Sequence, residues 1–535
     1  MLKTAALWRY SIFNFLLIAL LAHWFWQQNQ PVALPEPELS ASGKLNCVSY
    51  APYYGKGETP FIATTVVEKS RIESDLRLLS ERFDCVRTYS VNQGLDYVPE
   101  AADKLGMKVL LGAWIGYVKL ENDREVELAI ALANRYPNTV KGLIIGNEVL
   151  LRKEQTEDVM LAYLQQAQAS TEVPITYADV WEFWLKHPRL EQAVDYITVH
   201  ILPYWEDDPQ SLDHAIHHAE FVMDTMGKTF SKPVFIGETG WPSVGKHRNA
   251  SVPSLVNQAS YLRQFVQVAH DKSWNYNLIE AIDQPWKRAL EGTVGGYWGL
   301  YNTELERKFE FTGPVAERRD GIQPFIWSLA GLAAFIILTL AHKERRLPAL
   351  LAMGSLGILT GATAYLQWGY LLAASRDLME WIVLAGISLV GVVALLNLPS
   401  MITRGPNKLA HSLLFVLVFA GMVTSFLLIP KMSFIPRDVE LHPMLGHIIY
   451  MMDGRYRNFP LPLYALPALQ YAIGLVLLGL LQRTTFGRYR RINIIALVAA
   501  LTCLVLEPLN THAVLWLGVI GLLAYASWPR KEARA

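Results

Sequence analysis

Glu148 and Glu238 stand in matching surroundings, the first in VKGLIIGNEVLLR and the second in KPVFIGETGWPS. Both runs are rich in Val, Ile and Leu, as a strand buried on both faces requires, and both close on a glycine and then a carboxylate. A buried parallel strand with an acid at its C-terminal end is how barrel enzymes display catalytic groups. Two carboxylates displayed this way suit cleavage of a glycosidic bond, one as acid/base and the other as nucleophile. Either glutamate alone would serve equally well near a helix N-terminus, where the dipole favours an acid. The matched pair carries the reading.

The two glutamates are 90 residues apart. A barrel of about 250 residues spends roughly 31 on each βα unit, so they belong to strands n and n+3 and face each other across the mouth. Eight apolar runs between residues 44 and 312 supply the strands: LNCVSYAPYY, CVRTYSV, MKVLLGAWI, VKGLIIGNE, VPITYADVW, VDYITVHILPYW, KPVFIGETGWP and NLIEAIDQPWK. Helix-like stretches such as 66–81 and 155–170 alternate with them, which predicts a (β/α)8 TIM barrel. No Gly-rich phosphate loop follows any strand. What does follow them is aromatic and polar: Tyr53 and Tyr54, Arg87 and Tyr89, Trp114, Asn147 and Glu148, Asp179 and Trp181, His200, Tyr204 and Trp205, Glu238 and Trp241, Asp283 and Trp286. Sugar rings present apolar faces and hydroxyl edges, so a cleft for them needs aromatic platforms with a few placed polar groups.

The rest of the chain is different in kind. Hydrophobic residues make up 52% of it, and the mean hydropathy is +0.20. Basic and acidic residues balance at 48 each, which gives no footprint for nucleic acid. Residues 1–30 predict a retained membrane anchor and 31–43 a Pro-rich linker. After the catalytic domain at 44–320, residues 321–530 predict an all-α transmembrane domain of about seven spans, near 325–342, 347–371, 378–398, 409–429, 461–481, 492–508 and 513–528. Basic clusters (Lys343 with Arg345 and Arg346, Arg404 with Lys408, Arg483 through Arg491, Arg530 through Arg534) mark alternate loops. They put both termini in the cytoplasm and the barrel outside, in the periplasm of a bacterium. Loop 430–460 falls on the barrel's side and is a candidate to dock it. The span centres are almost free of ionisable residues, which favours an anchor or scaffold over a pump. Of the three cysteines, Cys47 and Cys85 sit in similar strand contexts, NCV and DCV, and free buried thiols are the expectation. No metal-ligand spacing is present, and no cofactor is implied.

GNEVLLR, GETGWPS, VRTYSV and EAIDQPWK followed by GYWGLY together resemble glycoside hydrolase family 17, the β-1,3-glucanases and β-1,3-glucanosyltransferases, over about residues 44–312. The multi-span tail is similar to that of membrane-bound bacterial members. The resemblance implies Glu148 as general acid/base, Glu238 as nucleophile, Asn147 bonding the sugar 2-hydroxyl and Tyr204 orienting Glu238. It also implies carboxyl groups about 5–5.5 Å apart, and a Glu148 pKa raised chiefly by Glu238. The substrate-binding set is then Asn147, Tyr204, Tyr53, Arg87, Tyr89, Trp114, Asp179, Trp181, His200, Trp241, Asp283 and Trp286, with Trp181, Trp184, Trp205 and Trp286 as acceptor platforms. The expected partners are a β-1,3-linked glucan donor and acceptor, the lipid bilayer, and a glucan synthase or export complex. A nucleotide-sugar domain and a QxxRW string are lacking, so the expectation is remodelling of glucan by transfer, with hydrolysis as the alternative. The non-enzyme alternative is a glucan-binding or export accessory protein.

Overall fold

Eight parallel strands close into a barrel in chain order: β1 Leu45–Ser49, β2 Phe83–Arg87, β3 Lys108–Ala113, β4 Val140–Asn147, β5 Ile175–Val180, β6 Ile197–His200, β7 Val234–Thr239 and β8 Tyr276–Leu278. The computed structural model describes residues 3–40, 42–430, 454–481 and 487–528. Each strand falls on one of the eight apolar runs, β2 starting two residues and β8 one residue ahead of its run. Their alternate residues divide between two cores. Val48, Val86, Leu111, Leu143 and Ile145 pack outward under the helices. Cys47, Cys85, Leu110, Ile144, Ala178 and Phe235 fill the inside of the barrel.

Cys47 and Cys85 form a disulfide, which corrects the expectation of free thiols. They are register partners on β1 and β2, with Cα atoms 4.3 Å apart. That proximity comes from strand register, which the sequence contexts do not encode. Cys503 is free and buried.

Seven helices cross from strand to strand, among them Lys69–Ser80, Glu157–Gln168 and Leu255–Asp271. Side-chain caps start two of them: Thr156 accepts from Val159 N–H and Ser254 from Asn257 N–H. After β8 the alternation fails. Short turns and the four-residue helix Arg288–Glu291 stand where an eighth helix was expected. Buried Phe309 and Phe311, with the chain around residues 34–36, cover that flank.

The Pro-rich linker is strapped to the barrel. Pro31–Val32 pairs with Val315–Ala316, and Arg263 donates to the Leu34, Pro35, Glu310 and Thr312 carbonyls. Seven described helices are long and apolar enough to span a bilayer: Thr4–Gln28, Gln323–Ala341, Leu347–Ala374, Leu378–Arg404, Lys408–Leu428, Leu461–Leu478 and Tyr489–Leu506. The eighth expected span, Thr511–Ser527, is a shorter apolar helix. The first helix is built into the bundle: Tyr10 donates to the Gln470 carbonyl at 2.7 Å, and the Asn14 amide bonds the Ala352 carbonyl and Ser355. Such bonds hold helices together where burial from water supplies no drive. Arg483 and Arg530 through Arg534, and most of loop 430–460, lie outside the described residues.

Candidate active site

β4 and β7 end on opposite sides of the barrel mouth. At the end of β4 the chain leaves extended geometry: Gly146 has φ +83° and Glu148 has φ +52°. A non-glycine residue in the left-handed region is uncommon and concentrates at functional sites. Here it turns the Glu148 side chain back over the mouth. Oxygens of Glu148 and Glu238 and a ring nitrogen of His200 all lie within 4.8 Å of one another. Glu238 is buried, while the Glu148 side chain keeps 23% of its exposure.

Among the described residues, the hydrogen bonds and ion pairs of the Glu238 carboxylate fall on one oxygen. Oε1 accepts from Arg87 at 3.0 Å and from the Tyr89 hydroxyl at 2.8 Å. His200 Nε2 stands 3.7 Å from the same atom. Oε2 carries no hydrogen bond among the described residues. Behind Tyr89, Ser49 Oγ lies 3.0 Å from the phenol oxygen and accepts from Asn277, which also bonds the Gly237 carbonyl. The single phenolic proton therefore goes to the carboxylate. The Arg87 guanidinium, itself buried, also donates to the Asn147 side-chain oxygen. The Asn147 amide nitrogen is left for the cleft.

Glu148 accepts from or donates to His200 Nδ1 at 2.9 Å, and Arg152 lies 3.9 Å away. Arg152 in turn sits over the Trp114 ring. Burial raises the Glu148 pKa, but the His200 bond and charge, with Arg152 and Arg87, outweigh it and set the group below its ordinary value. That reverses the expected direction, because cations and not Glu238 dominate its surroundings. Asp179 is buried beside this pair, bonded by the Tyr177 hydroxyl and the Val180 N–H. Burial and then the Glu148 charge push it up to about 7.

The mouth holds three charged groups that the sequence reading did not single out. Lys287 Nζ bonds buried Glu280 at 2.8 Å. Burial raises Glu280 to about 7, and burial with the charges of Glu148 and Glu238 also raises Glu291 to about 7. Lys287 lies inside the run EAIDQPWK, but nothing in its spacing shows that it turns inward. The Glu148–His200–Glu238 cluster is one group of donors among the described residues close enough for a cation. Arg87 and Arg152 already neutralise its carboxylates, which disfavours a metal there.

Arg87, Tyr89, Asn147, Asp179 and His200 thus converge on the two glutamates, and Trp114 reaches them through Arg152. Others do not. Tyr204 is fully buried and donates to the Lys246 carbonyl, so it does not orient Glu238; Tyr89 holds that position. Trp184 and Trp241 are core, their indole N–H groups spent on the Thr198 and Val252 carbonyls. Asp283 is consumed by a buried pair with Lys308 at 2.7 Å and by the Gly299 N–H. The Tyr53 hydroxyl bonds Gln93. Trp286, half-buried, meets the exposed ring of Phe61 edge-on. Trp205 stacks on Trp298 and meets Tyr456 of the membrane domain. Trp181 packs on His218 and Phe221 of the outer helix Leu212–Thr229.

Residues 47–299 match the family described as the BtgE/BtgC glycoside hydrolase domain. A glucan 1,3-beta-glucosidase of Candida albicans is 25% identical over 274 residues, which cover 46% of this chain and 87% of that protein. A probable beta-glucosidase btgE of Aspergillus flavus is 24% identical over 266 residues, 48% of this chain and 42% of its own length. Among solved structures, a glycoside hydrolase family 17 beta-1,3-glucanosyltransferase from Rhizomucor miehei aligns at 23% identity and a TM-score of 0.44, over 51% of this chain and 99% of its own.

Proposed function

We propose that this chain is a retaining, β-1,3-glucan-active enzyme held at the outer face of a plasma membrane. The observation that carries the reading is the approach of Glu148 and Glu238 within 4.8 Å from β4 and β7. Inverting enzymes keep their carboxyl groups about 6.5–9.5 Å apart to admit a water, and retaining enzymes about 5–5.5 Å. Family likeness over residues 47–299 supports the glucan substrate.

In this mechanism Glu148, once it has taken up a proton against its cationic surroundings, gives that proton to the glycosidic oxygen as the free oxygen of Glu238 attacks the anomeric carbon. A glucosyl-enzyme ester forms and the leaving glucan departs. Arg87 and Tyr89 hold the other Glu238 oxygen, which fixes the direction of attack. The Asn147 amide donates to the sugar 2-hydroxyl. Glu148 then takes the proton of the acceptor hydroxyl as that oxygen displaces Glu238. When a glucan supplies the hydroxyl, the enzyme remodels chains; with water it is an endo-β-1,3-glucanase. The membrane tail favours the glucan acceptor, since degradation of a foreign polymer would more simply use a released enzyme.

The test is mass spectrometry of products from the full-length protein in detergent, given an end-labelled β-1,3-gluco-oligosaccharide. Products longer than the substrate are expected, with none from Glu238→Ala. Shorter products alone would leave a hydrolase, and full activity of Glu238→Ala would remove the mechanism.

A further inference from the structure

We propose that the barrel stands mouth-down on the membrane, with the loops after β1 and β3 resting in the lipid headgroup region, so that the cleft opens along the bilayer surface.

Three observations lead there. First, loops at the C-terminal ends of the strands dock on the membrane domain. In the loop after β7, Lys246 Nζ bonds Glu507 at 3.0 Å and the Gly454 carbonyl at 3.1 Å. His247 stacks on His512, and its carbonyl accepts from Asn510 at 2.7 Å. After β8, Thr293 accepts from Asn458, and Arg288 donates to the Leu372 and Ala373 carbonyls. After β6, Trp205 meets Tyr456. The receiving turns, near 372, 454–458 and 507–512, are not those of the four basic clusters at 343–346, 404–408, 483–491 and 530–534, although 454–458 carries Arg455 and Arg457.

Second, the linkers run up the barrel wall. Arg318 N–H bonds the Gln28 carbonyl at the end of the first span. Glu317 caps the mouth end of helix Leu255–Asp271 through the Leu255 and Val256 N–H groups. Arg263, midway along that helix, holds Leu34 and Pro35, and Gln267, near its far end, bonds Glu38 N–H. The chain therefore climbs from the membrane to the barrel bottom before it enters β1. The mouth is the near end.

Third, two loops of the rim that do not dock carry exposed apolar side chains among their polar residues. Phe61 (67% exposed), Ile62 and Val66 follow β1; Tyr117 (71% exposed), Val118 and Leu120 follow β3. Phe61 also touches Trp286 on the docked sector, so the apolar rim continues the interface already made. Four of these six residues are aliphatic. Sugar rings stack on aromatics, whereas aliphatic tips suit the boundary between headgroups and acyl chains. Exposed apolar surface of this extent marks an interaction site.

The full chain in lipid nanodiscs tests this. Ile62→Cys and Val118→Cys would carry an environment-sensitive fluorophore, with Lys272→Cys at the barrel bottom as control. Replacing ordinary phosphatidylcholine by its brominated form should quench the probes at 62 and 118 and leave 272 unchanged. Hydrogen exchange of the unsubstituted protein should show protection of residues 60–66 and 116–120 in nanodiscs but not in detergent. Equal insensitivity of all three probes to brominated lipid overturns the proposal. So does a response at 62 and 118 to a β-1,3-gluco-oligosaccharide alone, which would make these residues sugar platforms.

Discussion

His200 is the residue through which the two carboxylates sense each other. It bonds Glu148 through Nδ1 and faces Glu238 through Nε2, which has no hydrogen-bond partner among the described residues. A carboxylate can only accept, so an ionised Glu148 requires the proton on Nδ1. A protonated Glu148 donates to a bare Nδ1 and leaves the ring proton on Nε2, beside the nucleophile. The cationic surroundings hold the Glu148 pKa below its ordinary value. The alkaline limb of kcat/KM reports the essential acid of the free enzyme. His200→Asn keeps a donor near Glu148 but removes the imidazole, so that limb should move to higher pH. A limb that stays in place would show that Arg152 and Arg87, not His200, set the acidity.

At the scale of elements, the loop after β7 has two duties. It follows the strand that carries Glu238, and it delivers Lys246 into a buried ion pair with Glu507 in the turn before Thr511–Ser527. Removing one partner strands the other charge out of water, at a cost of about 3 kcal/mol, the lower end for a buried pair. Thermal unfolding of full-length Lys246→Met should show that loss, and pairing it with Glu507→Leu should recover most of it. Equal unfolding temperatures for wild type and Lys246→Met would mean the pair contributes nothing to docking. This loop also shows where sequence reading stops. Strands β1 to β8 were legible because burial on both faces writes itself as apolar runs, and strand-end position alone picked out Arg87, Tyr89, Asn147, Asp179 and His200. Position did not say which hydroxyl reaches Glu238. Tyr89 and Tyr204 both follow strands, and only the packing of Tyr204 against Trp205, Trp241 and Trp298 sends its hydroxyl away to Lys246. The Cys47–Cys85 bond was hidden for a related reason: it depends on register between strands 38 residues apart. The missing eighth helix left no apolar pattern to be found wanting.

For the whole molecule, the disulfide inside the barrel agrees with the distribution of basic loops. A bond of this kind persists in oxidising compartments, and the proposed orientation puts the basic clusters on the cytoplasmic side. A reporter fused after Arg346 should therefore be cytoplasmic, and in the native protein Cys47 and Cys85 should resist alkylation until reduced. A periplasmic reporter would reverse the orientation. The two ends of the barrel domain meet. Asn29 and Asp320 bond each other twice, at 2.9 Å each, and Pro31–Val32 zips against Val315–Ala316. The barrel is in effect a large insertion between two consecutive membrane helices, Thr4–Gln28 and Gln323–Ala341, entering and leaving the bundle at one point. A module with coincident ends can be gained, lost or exchanged without breaking its host.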